Sequence, residues 1–162
     1  MVPEPKFLEM QVSQQPIVLI IFHCQTGDTE QLALSAAVGA VQSRALIRLR
    51  RLPDMGIVSD TQALLRMRKE YVPPTEKDIL GADALIVVAP PDFSDSSIQW
   101  KPYLELIRRL PLDKKVAACI GMDINIFKDL GIFTLANTSI DALALGRAVA
   151  DAARSRKKQE QP

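Results

Sequence analysis

The stretch from Ile17 to Ala40 constrains the fold more than any other: an apolar run, IVLIIF, meets HCQTGDTE and then a helical pattern of small and apolar residues. An apolar strand that ends in a Thr-Gly-x-Thr turn and feeds a helix is a strand–turn–helix unit. It directs backbone N–H groups and the hydroxyls of Thr26 and Thr29 at one point above the helix N-terminus. That point suits a phosphate. The same residues also suit a plain tight turn, with Thr29 as N-cap, because Gly, Asp and Thr are what such connections ordinarily use. Taken alone, the turn leaves both readings open.

A chain of 162 residues, 48% of them hydrophobic, is long enough for one well-cored domain and too short for two of typical size. Its formal charge of +1 provides no global field for steering onto nucleic acid, so no nucleic-acid partner is expected. Cys24 and Cys119 lie at or near strand ends without paired spacing, which argues against a zinc site or a disulfide framework. No apolar run approaches the roughly 20 residues that span a bilayer, and neither terminus reads as a targeting segment. No membrane insertion is expected, and the cytoplasm is the expected compartment.

Along the chain, strands and helices alternate. Residues 1–16, rich in Pro, Gln and Glu, read as an extension, residues 17–154 as the domain, and residues 155–162 as a polar tail. The first strand is Ile17 to Phe22, and a helix from about Thr29 to Ser43 has Leu32, Ala36, Val38 and Ala40 among its candidate buried positions. A second strand, Ala45 to Leu52, comes with Arg44, Arg48, Arg50 and Arg51, a density of charge that suits a solvated edge strand protected against pairing, with a nucleotide-phosphate clamp as the alternative. Residues 53–74 show little pattern beyond a plausible helix from Thr61 to Glu70. Thr75 to Asp78 resembles a capping box, and Ala84 to Ala89 reads as a central strand buried on both faces. Pro90-Pro91 stops that strand. A helix from Ile98 to Leu110 follows, then strands at Lys115 to Gly121 and Ile132 to Ala136. Ser139 is expected to cap a last Ala-rich helix that runs through Arg154.

That order predicts an α/β fold: an open five-stranded parallel sheet, order 2-1-3-4-5, with helices on both faces. Ligands of such sheets bind beyond the carboxyl ends of the strands, where the strand order reverses. The loops His23 to Thr29 and Pro90 to Ser96 both leave those ends and flank one crevice.

IVLIIFHCQTGDTEQLALSAAVGA resembles the phosphate loop and first helix of flavodoxin-like proteins, whose pattern is Ser/Thr-x-Thr-Gly-x-Thr after the first strand. ADALIVVAPPDFSDSSIQWKPYLE is similar to their second flavin loop, and DALALGRAVADAAR to the last helix of the multimeric NAD(P)H:quinone oxidoreductases and related FMN-dependent reductases. The likeness covers about Ile17 to Ala153; it is specific in the two loops and not over residues 53–80. It implies an FMN site in which Thr26, Gly27 and Thr29, with Cys24 and the variable Asp28, hold the phosphate. Pro90, Pro91, Asp92, Phe93 and Ser94 would then lie along the ring, with Phe93 or Trp100 as its apolar wall.

Three departures from the family pattern stand out. Cys24 exchanges a hydroxyl for a thiol, a weaker donor. Pro91 removes a backbone N–H that would face the flavin, and Asp92 brings a carboxylate to where reduced flavin carries negative charge. Between Met122 and Gly131, the family's longer third loop and fourth crossover helix are expected to be missing, which exposes a sheet face and implies a homo-oligomer. His23 is either a proton donor or a structural turn residue, and Cys24 beside a helix N-terminus has the setting for a depressed pKa.

The resemblance implies an oxidoreductase with FMN as cofactor and NAD(P)H as co-substrate that passes electrons to a quinone or similar small acceptor. The alternative is a flavodoxin-like domain without flavin that acts as a structural or interaction module. A one-electron carrier is disfavoured, since docking carriers of this fold are strongly acidic and this chain is near neutral.

Overall fold

The structure, a computed structural model, describes residues 15–25, 27–55, 60–89, 99–112, 115–121, 133–134 and 141–160. Strand β1 (Ile17–Phe22) leads into helix α1 (Gly27–Gln42), and β2 (Leu46–Arg51) is followed by α2 (Gln62–Glu70) and α3 (Glu76–Gly81). Then come β3 (Ala84–Val88), α4 (Lys101–Arg109), β4 (Val116–Ile120), the two-residue strand β5 (Phe133–Thr134) and α5 (Ala142–Glu160). All pairings are parallel, in the order β2-β1-β3-β4-β5.

The sheet is five-stranded in the predicted order, with β5 the shortest strand among the described residues. Of the expected strand Ile132 to Ala136, only Phe133 and Thr134 are among the described residues, and they pair with Val116 and Ala117. The segment Met122 to Gly131, where a crossover helix is expected to be missing, lies outside the described residues.

Side chains of alternating parity sort to the two faces of the sheet. Val18, Ile20 and Phe22 of β1, with Ile86, Val88, Val116 and Ala118, pack under α1 and α5. Leu19, Ile21, Leu85, Val87, Ala117 and Cys119 pack on the other side against Ile79 of α3, Trp100, and Leu104 and Ile107 of α4. Every residue of β3 is buried, as a strand covered on both faces requires.

Helices α1 and α5 meet backbone to backbone. A Cβ on Gly39 would collide with the Leu143 carbonyl, and one on Gly146 with the Ala36 carbonyl. Arg147 donates to the Gln42 side chain and Arg154 to the Ser43 carbonyl along the same seam. The contact explains a correction to the predicted buried face. Ala36 and Ala40 are buried, whereas Leu32 and Val38 are 42% and 49% exposed, because close approach selects the Ala and Gly positions and turns the larger residues outward.

The last helix also differs from expectation. The Asp141 carboxylate accepts from the N–H groups of Leu143 and Ala144, so α5 starts at Ala142, and it runs to Glu160, beyond Arg154 into the stretch read as a tail. Ser139 lies outside the described residues. Thr61 caps α2, and Thr75 and Asp78 form the predicted reciprocal capping box of α3. Among the described residues, no helix is long and apolar enough to cross a membrane.

The chain closes β4 with Gly121 at φ +79, a left-handed conformation in which a Cβ would strike the Ala89 carbonyl. With the Ala89 N–H bonded to the Ile120 carbonyl at 2.8 Å, the exits of β3 and β4 lie side by side. They join the end of β1 along one rim of the sheet.

Candidate functional site

At that rim β1 and β3 are neighbours, and the helices that follow them, α1 and α4, cover opposite faces of the sheet, so the strand order reverses there and a crevice opens at the carboxyl ends. Helix α1 begins there. Its first turn contains Gly27, the exposed Asp28, and Thr29 and Glu30, both buried. Among the described residues, a Cβ built on Gly27 has Glu30 Oε1 alone within reach outside the helix backbone, at 4.0 Å, which leaves room beside the first helical N–H groups. The first N–H groups of a helix have no acceptor within the helix, and with the positive end of the helix dipole they suit an anion. Thr26 lies outside the described residues, as do Pro90, Pro91, Asp92, Phe93 and Ser94.

Two anionic side chains share that turn, and their placement decides whether a phosphate fits. Asp28 is exposed and screened by solvent. Glu30 is engaged by partners: Arg66 donates to both its oxygens, at 2.6 and 2.9 Å, and the Tyr71 hydroxyl donates at 2.6 Å. The Arg66 bonds hold the Glu30 carboxyl below its ordinary range, against the opposing effect of burial. Burial and the Glu30 carboxylate together push Tyr71 upward. The charge of Glu30 is thus matched in place, and the donor set around Gly27 and Thr29 fits a phosphate.

Ahead of the turn, His23 and Cys24 are buried. His23 Nε2 lies 2.9 Å from Asp54 Oδ1, which supports the structural reading of this residue. Arg51 donates through Nη1 and Nη2 to Asp54, at 3.1 and 2.8 Å, and through Nη2 to the Cys24 carbonyl at 2.7 Å. Arg68 Nε adds a bond to Asp54 at 2.9 Å. Burial pushes the Asp54 carboxyl upward, but the bonds from Arg51, Arg68 and His23 outweigh it and hold the group far below the ordinary range.

Two expectations are corrected here. Arg48 and Arg50 do serve the edge of β2 by pairing with Asp78, yet Arg51 is not part of a solvated edge: its side chain is 3% exposed and inside the ion cluster. Cys24 does not have a depressed pKa. Burial raises it, outweighing the Glu30 N–H that bonds to the sulfur, and the thiol sits 3.8 Å from Met67 Sδ. Trp100, a candidate ring wall, is buried in the core beside Leu104.

Residue pattern does not single out Glu30, Arg51, Asp54, Arg66 and Tyr71 as a site, because most of their contacts join positions 27 to 41 residues apart on elements that show little periodicity. One local signal exists: Arg51 and Asp54 flank Leu52-Pro53 at i, i+3, at the end of an edge strand. A cavity of about 270 Å³ opens beside this pair, lined also by Arg68, Tyr71 and Pro73.

No protein-family model matches the chain. Over 110 residues it is 26% identical to a protein named NAD(P)H dehydrogenase (quinone) from Archaeoglobus fulgidus. That match covers 64% of this chain and 58% of the relative, less than two thirds of its length. The structure superposes on diflavin flavoprotein A3 from Nostoc sp. with a TM-score of 0.63 at 13% identity, covering 91% of this chain and 99% of the other. On the two-electron reduced flavodoxin of Megasphaera elsdenii the TM-score is 0.58 at 15% identity, covering 83% and 98%. The parallel sheet with β1 between β2 and β3, the loop into α1 and these superpositions together establish that the chain has the flavodoxin-like fold.

Proposed function

We propose that this chain is an FMN-dependent oxidoreductase that takes reducing equivalents from NAD(P)H and passes them to a quinone or similar small acceptor. The observation that carries the reading is the room beside Gly27, where α1 starts at the carboxyl end of β1 with its one buried first-turn carboxylate already matched by Arg66. The likeness to the Archaeoglobus fulgidus protein supports the choice of electron donor and acceptor. Bound FMN would supply hydride acceptance and electron donation at its ring. The chain's own part is to bind and orient. The N–H groups of the α1 first turn and the hydroxyls of Thr26 and Thr29 hold the phosphate, and the loop Pro90 to Ser94 lines the ring, with Asp92 disfavouring negative charge there.

The test is flavin titration of the purified chain. Replacing both Thr26 and Thr29 with Ala is expected to weaken FMN binding by at least tenfold, since hydrogen bonds to charged groups contribute about 1.5–3 kcal/mol each. Gly27→Ala is expected to weaken it as well while leaving the chain as stable as before, or more so, because the added Cβ meets open space in a helical residue. A wild-type protein that is colourless and takes up no added FMN would refute the reading and leave the flavin-free interaction module in its place.

We also propose that the chain forms a homo-oligomer. Val38 and Val41 of α1 stand 49% and 52% exposed three positions apart on one helix face, apolar area that a second copy of the chain would cover. Light scattering at micromolar concentration is expected to give a multiple of 17.9 kDa, and a monomer mass would count against the proposal.

A further inference from the structure

Resting on the reading of residues 23–29 as a phosphate loop, we infer that Arg51 is a positioning residue for that loop, fixing its entry so that the N–H groups of α1 face the ligand before the ligand arrives. One guanidinium reaches two targets. Nη1 and Nη2 bond Asp54, which in turn bonds His23, and Nη2 bonds the Cys24 carbonyl at 2.7 Å. His23 and Cys24 are the first residues after β1, so both are tied to the end of β2. The far end of the same loop is tied as well, through Glu30 to Arg66 and Tyr71. Both ends of the loop are held, while Gln25 and Asp28 between them stay open.

The energetics favour geometry over stability as the purpose of this arrangement. Arg51 Nε is buried without an acceptor among the described residues, and an unmade buried hydrogen bond carries a desolvation cost. A buried ion pair is itself weak evidence for stabilisation, since well-packed apolar residues commonly do as well. What an apolar residue cannot supply is a rigid planar fork that holds a carboxylate and a backbone carbonyl at a fixed separation. Holding the loop in its binding conformation removes an ordering cost that each binding event would otherwise carry.

Two measurements on the full chain decide the matter. In the ligand-free protein, ¹⁵N relaxation is expected to give order parameters for residues 24–29 near the rigid value of about 0.85, falling below about 0.6 in Arg51→Gln while β3 stays rigid. Arg51→Lys, which keeps a cation beside Asp54 without the fork, is expected to loosen the same residues, and it carries the test if Arg51→Gln does not fold. Arg68→Gln, which removes another Asp54 partner without touching Cys24, is expected to leave the loop rigid. Loop order unchanged in the Arg51 variants overturns the inference, and so does loosening spread equally over β3.

The second measurement compares FMN with riboflavin, which lacks the phosphate. The Arg51 variants are expected to lose at least tenfold in FMN affinity and nothing in riboflavin affinity, whereas an equal loss for both ligands overturns a role at the phosphate loop. A wild type that binds neither refutes the proposed function, and the relaxation result still decides whether Arg51 fixes the loop.

Discussion

Replacing Gly39 or Gly146 with alanine is expected to destabilise the protein, although alanine is the better helix former. The propensity change favours the variant by about 1 kcal/mol. Against it stands a backbone collision, since the new Cβ meets the Leu143 carbonyl in one case and the Ala36 carbonyl in the other. Neither carbonyl can rotate away as a side chain would, so α1 and α5 must separate and open the packing of Ala33, Ala36, Ala37 and Ala40 against Val149, Ala150 and Ala153. Overpacking of this kind costs typically 1–3 kcal/mol and sometimes more, and here the upper end applies. A net loss of about 2 kcal/mol is a large share of the 5–15 kcal/mol that holds a typical domain together.

Urea unfolding provides the measurement, and two comparisons sharpen it. Gly81→Ala serves as the control: its Cβ would meet only Arg48 Nη1, at 3.6 Å, so no loss is expected. The double variant Gly39→Ala/Gly146→Ala is expected to cost less than the sum of the single ones. Both collisions occur at one crossing, and once the helices have moved apart for the first the second is partly relieved. Single variants as stable as wild type would show that the helices do not approach as closely as the structure places them.

The legible parts of this fold are those where one physical requirement governs consecutive residues. Ile17–Phe22 and Ala84–Val88 are apolar without interruption because both faces of the sheet are covered, and the strand assignment follows from that pattern alone. The capping box at Thr75 and Asp78 is local in the same sense. The buried face of α1 is misread because hydrophobicity favours Leu32 and Val38, while the partner helix selects for the absence of side-chain bulk. For the site, Gly27 and Thr29 follow from the turn motif. Arg51, Asp54 and Glu30 do not, since a charge among apolar neighbours reads as solvated until the partner that neutralises it is known. The segment least readable as a sequence, residues 53–74, supplies most of those partners.

Asp54→Ala is expected to cost more than any surface substitution, about 3–5 kcal/mol, because it removes one side of a buried ion pair and leaves the other uncompensated. The Asp54 side chain is 4% exposed and accepts from Arg51, Arg68 and His23. Among the described residues, its loss leaves the buried Arg51 side chain with the Cys24 carbonyl alone and its Nε without an acceptor. Arg68, 41% exposed, can return to water, so the penalty rests on Arg51.

The same carboxylate gives the protein an acid limit. The native pKa values of Asp54 and Glu30 lie below their ordinary ones, so as the pH falls the unfolded chain takes up protons before the native state does. The stability these groups contribute is complete above the ordinary carboxylate range of about 4. It declines as the pH drops through that range toward the depressed native values. Unfolding free energy measured from pH 6 downward is therefore expected to fall steeply below about pH 4 in the wild type. In Asp54→Asn and Glu30→Gln, each less stable at pH 6, it is expected to fall with a visibly shallower slope. A slope in Asp54→Asn as steep as in the wild type would mean that Asp54 titrates alike in both states and that the cluster with Arg51 is not formed in solution.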